Sequence, residues 1–152
     1  MTAADIRVPV SAAWLGGLGL VPFISLAAAL PFVGQDLQFL AAHALLAYGA
    51  TILSFLGGVH WGLGIAQGAG APASGLAGRL TLSIVPSLVA WVALLVAPVA
   101  GLILLAAGIA LMLRVDLLAT RSGFAPPWYP RLRIPLSCAV ATTLLAAGFV
   151  VR

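Results

Sequence analysis

The most constraining feature of this chain is residues 47–62, a run that is strongly apolar and also rich in glycine. The run reads AYGATILSFLGGVHWG and contains no formally charged side chain. A helix this apolar is stable in the hydrocarbon core of a bilayer, and its small residues allow a second backbone to approach closely. The run therefore predicts a closely packed membrane-spanning helix.

The composition extends this prediction to the whole chain. Of its 152 residues, 63% are hydrophobic and 7% are charged, whereas a soluble domain typically has about 25% charged residues. Seven basic and three acidic side chains cannot cover an aqueous surface of this size. We therefore predict an all-α fold, a single polytopic membrane domain that occupies residues 1–152.

Five apolar runs are long enough to cross a bilayer, which takes roughly 20 residues in a helix. These runs are residues 11–32, 37–66, 80–96, 99–118 and 133–151. Ser11 is a candidate N-cap, and Pro22 and Pro86 should kink the first and third spans. Residues 68–78 form a predicted connector, and Pro98 should join the third and fourth spans in a tight hairpin. The second span is long enough that it must tilt or project, and we expect it to be the central helix.

The arginines indicate the orientation of these five spans. One side of the membrane would carry six of them, namely Arg7, Arg79, Arg114, Arg121, Arg131 and Arg133, and the other side only Arg152. Because basic residues are retained on the cytoplasmic side, we predict a cytoplasmic N-terminus and a periplasmic C-terminus. The arginines fall between apolar runs instead of clustering on one face, so we expect no nucleic-acid partner.

Small residues recur every four positions along the second span and form what we call the small-residue ridge. The ridge consists of Ala50, Ser54, Gly58, Gly62 and Ala66, and Ala47 and Gly57 widen it. Two interpretations stay open. The ridge could receive another of the chain's own helices, or it could be a groove for a second subunit or a lipophilic ligand.

The two histidines cannot share one ligand. His43 and His60 are 17 residues apart on one predicted helix, a separation of about 25 Å. His60 with Met112 could ligate haem, and the alternative for either histidine is an interfacial hydrogen bond. We predict no metal site and no cofactor, with haem and quinone as the alternatives.

Residues 121–133 form the most varied polar segment. Trp128 and Tyr129 are placed as interface anchors, and Arg131 can contact anionic lipid headgroups. The alternative is a platform for an anionic headgroup or a partner, which would also include His60, Trp61, Arg114 and Asp116. For Asp116 we predict an ion pair with Arg79 or Arg131.

No catalytic constellation is present in the sequence. The chain has no glutamate, and it lacks the metalloprotease, P-loop and nucleophile-elbow patterns. Its single cysteine, Cys138, excludes an intrachain disulfide and a cysteine metal cluster. We therefore expect a non-enzymatic protein.

Residues 48–62 (YGATILSFLGGVHWG) and 127–133 (PWYPRLR) resemble the transmembrane-protein-69-like family, a domain of unknown function. The likeness covers nearly the whole chain. It implies a bacterial inner-membrane location, with a mitochondrial member in the family, and it supplies no activity. The positions that match its motifs become the candidate ligand- or partner-binding residues: Ser54, Gly57, Gly58, His60, Trp61, Gly62, Trp128, Tyr129 and Arg131.

Two functional hypotheses result. The first is a small accessory or scaffolding subunit that associates with itself or with other inner-membrane proteins, for example in energy conversion, with lipids around it. The alternative is a binder or carrier of a lipophilic molecule (quinone, lipid or haem). Its groove would run along Ser54, Gly58 and Gly62 and would be capped by His60 and Trp61.

Overall fold

The structure is a computed structural model that describes residues 7–66 and 73–151. Within those ranges the chain is helical, without a β-strand. The elements are α1 (Val10–Leu18), α2 (Val21–Ala29), a 3-10 turn (Leu30–Phe32), α3 (Gln35–Ala66), α4 (Ala73–Leu95), α5 (Pro98–Arg121) and α6 (Tyr129–Val150).

Five helical segments of the described chain are long and apolar enough to cross a membrane. They are Val10–Phe32, Gln35–Ala66, Leu76–Leu95, Pro98–Arg121 and Tyr129–Val150. Large apolar side chains such as Trp14, Phe39 and Phe55 lie on the outside, which is the arrangement that lipid requires. The all-α, five-span architecture is confirmed, and the protein is a multi-pass membrane protein.

Several helix ends differ from their predicted positions. Residues 73–78, predicted as connector, are helical, while 68–72 lie outside the described residues. Helix α5 continues to Arg121 and α6 begins at Tyr129, because a helix can extend past its apolar stretch into the interface. The N-cap of α1 is Pro9, which makes no side-chain capping bond, so the prediction of Ser11 was wrong.

The first span is broken near its middle, as Pro22 predicts. Pro22 has no N–H to donate to the carbonyl of Leu18, and its ring would clash there. Helix α1 accordingly ends at Leu18, and α2 restarts at Val21. The hydroxyl of Tyr48 donates to the carbonyl of Gly19 at 3.1 Å, which satisfies a polar group at the break.

Helix α3 packs against α2, α4 and α5, so its predicted central position is confirmed. Fully buried leucines from three helices form the interior, among them Leu45, Leu53, Leu102, Leu105 and Leu144. Helices α4 and α5 form the expected hairpin around Pro98, with only residues 96–97 between them. Helix α6 packs mainly on α5.

Helix α3 approaches the backbone of α4 closely at Gly57. A β-carbon there would overlap the carbonyl oxygen of Ser83 and would contact the ring of Pro86. Helix α4 remains helical through Pro86. Gly57 is therefore required by the contact between the two backbones.

The small-residue ridge does not lie on one buried face of α3. Ala50 is buried, whereas Gly58, Gly62 and Ala66 are exposed. Each four-residue step overshoots a full turn by about 40°, so four steps rotate the ridge about 160° around the helix. The interpretation as an internal groove holds at Ala50 and fails for the exposed part of the ridge.

Candidate functional site

Three polar side chains from three different helices meet inside the bundle. Nε2 of His60 on α3 lies 2.7 Å from Oδ1 of Asp116 on α5. Nε of Arg133 on α6 lies 2.6 Å from Oδ2 of the same carboxylate. The relative exposures of His60, Asp116 and Arg133 are 6%, 0% and 7%, so we call these residues the buried triad.

Each member of the buried triad continues the buried face of its own helix. Residues three or four apart share a helix face. The three faces contain Leu53, Leu56, His60 and Gly64 on α3; Ile109, Met112, Asp116 and Ala119 on α5; and Arg133, Ser137, Val140 and Leu144 on α6. The register that buries the leucines therefore brings the three polar groups together.

The geometry of the buried triad satisfies both oxygens of Asp116. A carboxylate that is removed from solvent is strongly unfavourable unless it is paired and hydrogen-bonded. Arg133 supplies the opposite charge on one oxygen, and His60 donates to the other. The hydrogen bonds of the triad thus connect α3, α5 and α6 at one end of the bundle.

The sequence prediction named the wrong arginine for Asp116. Arg79 or Arg131 was expected, but the guanidinium that bonds the carboxylate belongs to Arg133. Arg131 is exposed, because two residues along a helix rotate a side chain by about 200°. The missed signal was the spacing from Arg133 to Ser137, Val140 and Leu144, which places Arg133 on the buried face of α6.

A cleft of about 390 Å³ opens beside the buried triad. Its walls come from α3, α4, α5 and the turn after α5. They comprise His60, Arg79, Leu82, Val115, Leu118, Ala119, Ser122 and Phe124. The cleft is thus mainly apolar, with an imidazole and a guanidinium among its walls.

One side of the cleft is built by the turn that ends α5. Gly123 has a positive φ of 73°, a conformation that glycine adopts without a steric penalty. The N–H of Gly123 donates to Thr120 O, and the N–H of Phe124 donates to Ala119 O. These two bonds form a Schellman motif, which folds Phe124 back over Ala119. Phe124 is consequently buried at a fixed position.

Arg79 covers the face of this phenylalanine. Its Cζ lies 4.0 Å from the centre of the Phe124 ring, within the range of a cation–π interaction. The stacking connects α4 to the turn after α5. It also holds the Arg79 guanidinium at the wall of the cleft.

The other residues of the predicted platform are dispersed. Arg114 and Arg131 are exposed, and Trp61 is 41% exposed. Trp128 packs edge-on against Tyr129, with 5.8 Å between ring centres. Tyr129 also packs against the cluster that contains Phe124. Of the platform residues, the structure brings His60, Asp116 and Arg133 together in the buried triad, and it places Ser122 and Phe124 beside His60 in the cleft.

The second histidine is separate from the site. His43 is exposed, and its Nδ1 lies 2.9 Å from the carbonyl oxygen of Phe39 on the same helix. Ser54, another of the candidate binding residues, is half-buried on α3. In residues 7–66 and 73–151, no group of three or more histidine, cysteine or acidic residues is placed to hold a metal ion.

Comparison with known proteins identifies the family. Residues 8–149 match the family described as a protein of unknown function (DUF3429). Transmembrane protein 69 of Xenopus tropicalis is 38% identical over 143 residues, which are 91% of this chain and 54% of that protein. The chain therefore spans about half the length of this curated relative, and no solved structure gives a significant match. The chain belongs to the DUF3429 family, the transmembrane-protein-69-like proteins of unknown function.

Proposed function

We propose that this protein binds a lipophilic small molecule in the cleft beside the buried triad. The observation that carries the proposal is a mainly apolar cleft whose lining includes the polar side chains of His60 and Arg79. Small-molecule sites are typically concave, mostly apolar and about 300–1,000 Å³ in volume, with a few polar groups that orient the ligand. The cleft fits this description at about 390 Å³.

The walls suggest how a ligand would be held. Leu82, Val115 and Leu118 would contact an apolar body or tail, while His60 and Arg79 would contact a polar head. Because the turn after α5 buries Phe124 and the Arg79 guanidinium stacks on its ring, this end of the cleft already has its shape before a ligand arrives. Preorganisation of this kind lowers the entropic cost of binding.

Among the three ligands suggested by the sequence, the geometry favours a quinone or a lipid over haem. Nε2 of His60 already bonds Asp116 at 2.7 Å, so only Nδ1 of this ring is left for a ligand. Met112, the other haem ligand considered, lies in the apolar core. The ligand groove also differs from the predicted one, because it runs between α4 and α5 beside His60.

The test is to extract and identify what co-purifies with the protein. We expect mass spectrometry to find a stoichiometric lipophilic molecule in the native protein and a loss of it in Val115→Trp, which fills the cleft. Leu88→Trp, on the exposed side of α4, is the matched control and should retain the ligand. A native protein without ligand, or equal occupancy in both variants, would contradict the proposal.

A second candidate function, an accessory subunit of an inner-membrane assembly, has its own observation. A β-carbon added at Gly58 or Gly62 would meet no atom within 4 Å, so this part of α3 presents a bare backbone surface. In lipid, helices associate through such close contacts of small residues. Helix α3 could therefore dock a partner helix or a second copy on this side.

Affinity purification from native membranes tests the second candidate. Gly58→Leu should release a specific partner or dissociate a dimer, while Gly17→Leu, on an open position of α1, should not. If the native protein is a monomer without partners, the accessory function is excluded.

A further inference from the structure

The buried triad fixes which nitrogen of His60 carries a proton. An ionised carboxylate only accepts hydrogen bonds, so the 2.7 Å contact with Asp116 requires a proton on Nε2 of His60. Arg133 already balances the charge of Asp116 on its other oxygen. A neutral imidazole therefore completes the triad without adding a second buried positive charge.

In a neutral imidazole with a proton on Nε2, Nδ1 carries a lone pair and is an acceptor. His60 is one of the residues that line the cleft. Among the described residues, none forms a hydrogen bond with Nδ1 of His60. His43 differs, because its Nδ1 is engaged by the carbonyl of Phe39 on its own helix. The cleft therefore offers an acceptor at His60.

Arg79 provides the complementary function on another wall of the same cleft. A guanidinium has only donors, and that of Arg79 lies 4.0 Å from the centre of the Phe124 ring. The best-matched head group has a hydroxyl that donates to His60 and an oxygen that accepts from Arg79. A phosphate diester has acceptors only, so it would oppose the lone pair of Nδ1.

The strength of Nδ1 of His60 as an acceptor indicates which kind of hydroxyl group the ligand should carry. Hydrogen bonds in a chain polarise one another, so the contact with Asp116 increases the electron density on Nδ1 of His60. A phenolic hydroxyl is a stronger donor than an aliphatic one and gains more from such an acceptor. We propose that the cleft recognises a phenol or hydroquinone head group on an apolar tail, with its hydroxyl donating to His60 and a neighbouring oxygen accepting from Arg79. This inference rests on the proposed ligand-binding function.

The first test observes the tautomer directly. The variant His43→Gln leaves His60 as the single histidine of the chain, and ¹⁵N NMR of this labelled protein then reports both ring nitrogens. We expect a protonated Nε2 and an unprotonated Nδ1, with the Nδ1 resonance shifting when an alkyl methoxyhydroquinone is added under anaerobic conditions. A proton on Nδ1 in the ligand-free protein would overturn the inference.

The second test changes the ligand and leaves the buried triad intact. The alkyl methoxyhydroquinone is compared with its dimethyl ether, which has the same tail but no hydroxyl donor. Loss of a hydrogen bond worth about 1.4 kcal/mol corresponds to about tenfold weaker binding, so we expect the ether to bind at least about tenfold more weakly. Arg79→Gln should also weaken binding of the hydroquinone.

The outcomes separate the two proposals. If hydroquinone and ether bind equally, and Val115→Trp blocks both, the hydroxyl inference is wrong while the ligand-binding function stands. If didecyl phosphate, a diester without a hydroxyl donor, binds more tightly than the hydroquinone, an anionic head group is recognised and the inference is overturned. If no probe binds and no native ligand co-purifies, the ligand-binding function fails as well.

Discussion

At the residue scale, Asp116 is the acidic side chain on which the polar interior depends. It has 0% relative exposure and contacts both His60 and Arg133. Breaking a buried ion pair by removing one partner is more damaging than its formation is stabilising, because the other charge stays buried. Loss of the Asp116 carboxylate would therefore destabilise the protein mainly because the charge of Arg133 would stay buried without a partner.

Asp116→Asn should destabilise the folded protein strongly. The substitution keeps the shape of the side chain and leaves Arg133 buried without a counter-charge, at a cost of about 3–5 kcal/mol. Thermal unfolding in detergent should show a large decrease in Tm and a lower yield of folded protein. Asp36→Asn, in the exposed first turn of α3, is the control and should change the Tm little. Equal Tm values for the two variants would contradict the role assigned to the triad.

Two arginines near the start of α6 offer a second comparison. Arg133→Gln should destabilise by about 3 kcal/mol or more, because it leaves Asp116 as an uncompensated buried charge. Arg131→Gln, at an exposed position two residues earlier, should change stability by about 0.5 kcal/mol or less. Chemical or thermal unfolding of both variants distinguishes them. A larger effect at Arg131 would restore the pairing predicted from the sequence.

At the scale of helices, the structural role of a glycine depends on what lies opposite it. Gly57 and Gly58 are neighbours in the sequence, yet Gly57 touches the backbone of α4 and Gly58 faces open space. Hydropathy cannot distinguish them, because both lie in the same apolar run. Only the rotation of α3 against α4 decides which of the two is required.

Gly57→Ala should destabilise the bundle, and Gly58→Ala should not. The new β-carbon at position 57 would overlap Ser83 O and force α3 and α4 apart, at about 1–3 kcal/mol by analogy with overpacked cores. At position 58, alanine should be neutral or stabilising by up to about 1 kcal/mol, because it favours the helix. Tm measurements on the two single variants check this, and a reversed order would show that the packing of α3 on α4 is different.

The sequence predicted the existence of the helices better than their ends. Apolar runs of about 20 residues are a local property, so all five spans were found. The start of α4 was missed because its alanine, glycine and serine residues carry no apolar period. Leu76 and Leu80 nevertheless lie against Gly64 of α3, and this tertiary contact extends the helix beyond its apolar stretch.

At the scale of the whole molecule, five spans have a consequence for the termini. An odd number of crossings places the two ends of the chain on opposite sides of the membrane. We propose that the N-terminus is cytoplasmic in a bacterial inner membrane, because six of the seven arginines would then lie on that side. In the structure, five of these six lie within helices and not in loops, namely Arg79, Arg114, Arg121, Arg131 and Arg133.

Reporter fusions test this orientation. A cytoplasmically active fluorescent protein should be bright at the N-terminus and dark at the C-terminus, and a periplasmically active phosphatase should give the opposite result. An internal fusion in the turn at Gly123 should behave like the N-terminal one, which controls for expression. Both termini reporting the same compartment would exclude an odd number of crossings.

The sequence by itself determined that this protein lies in a membrane, that it crosses five times and where each crossing lies within a few residues. These properties are sums over neighbouring residues, so they can be calculated along the chain. Only the tertiary structure decided that Asp116 is paired with Arg133 and His60, and that a cleft opens beside them. Such contacts depend on the relative rotation of three helices that are far apart in the chain, and spacing within any one helix does not fix that rotation.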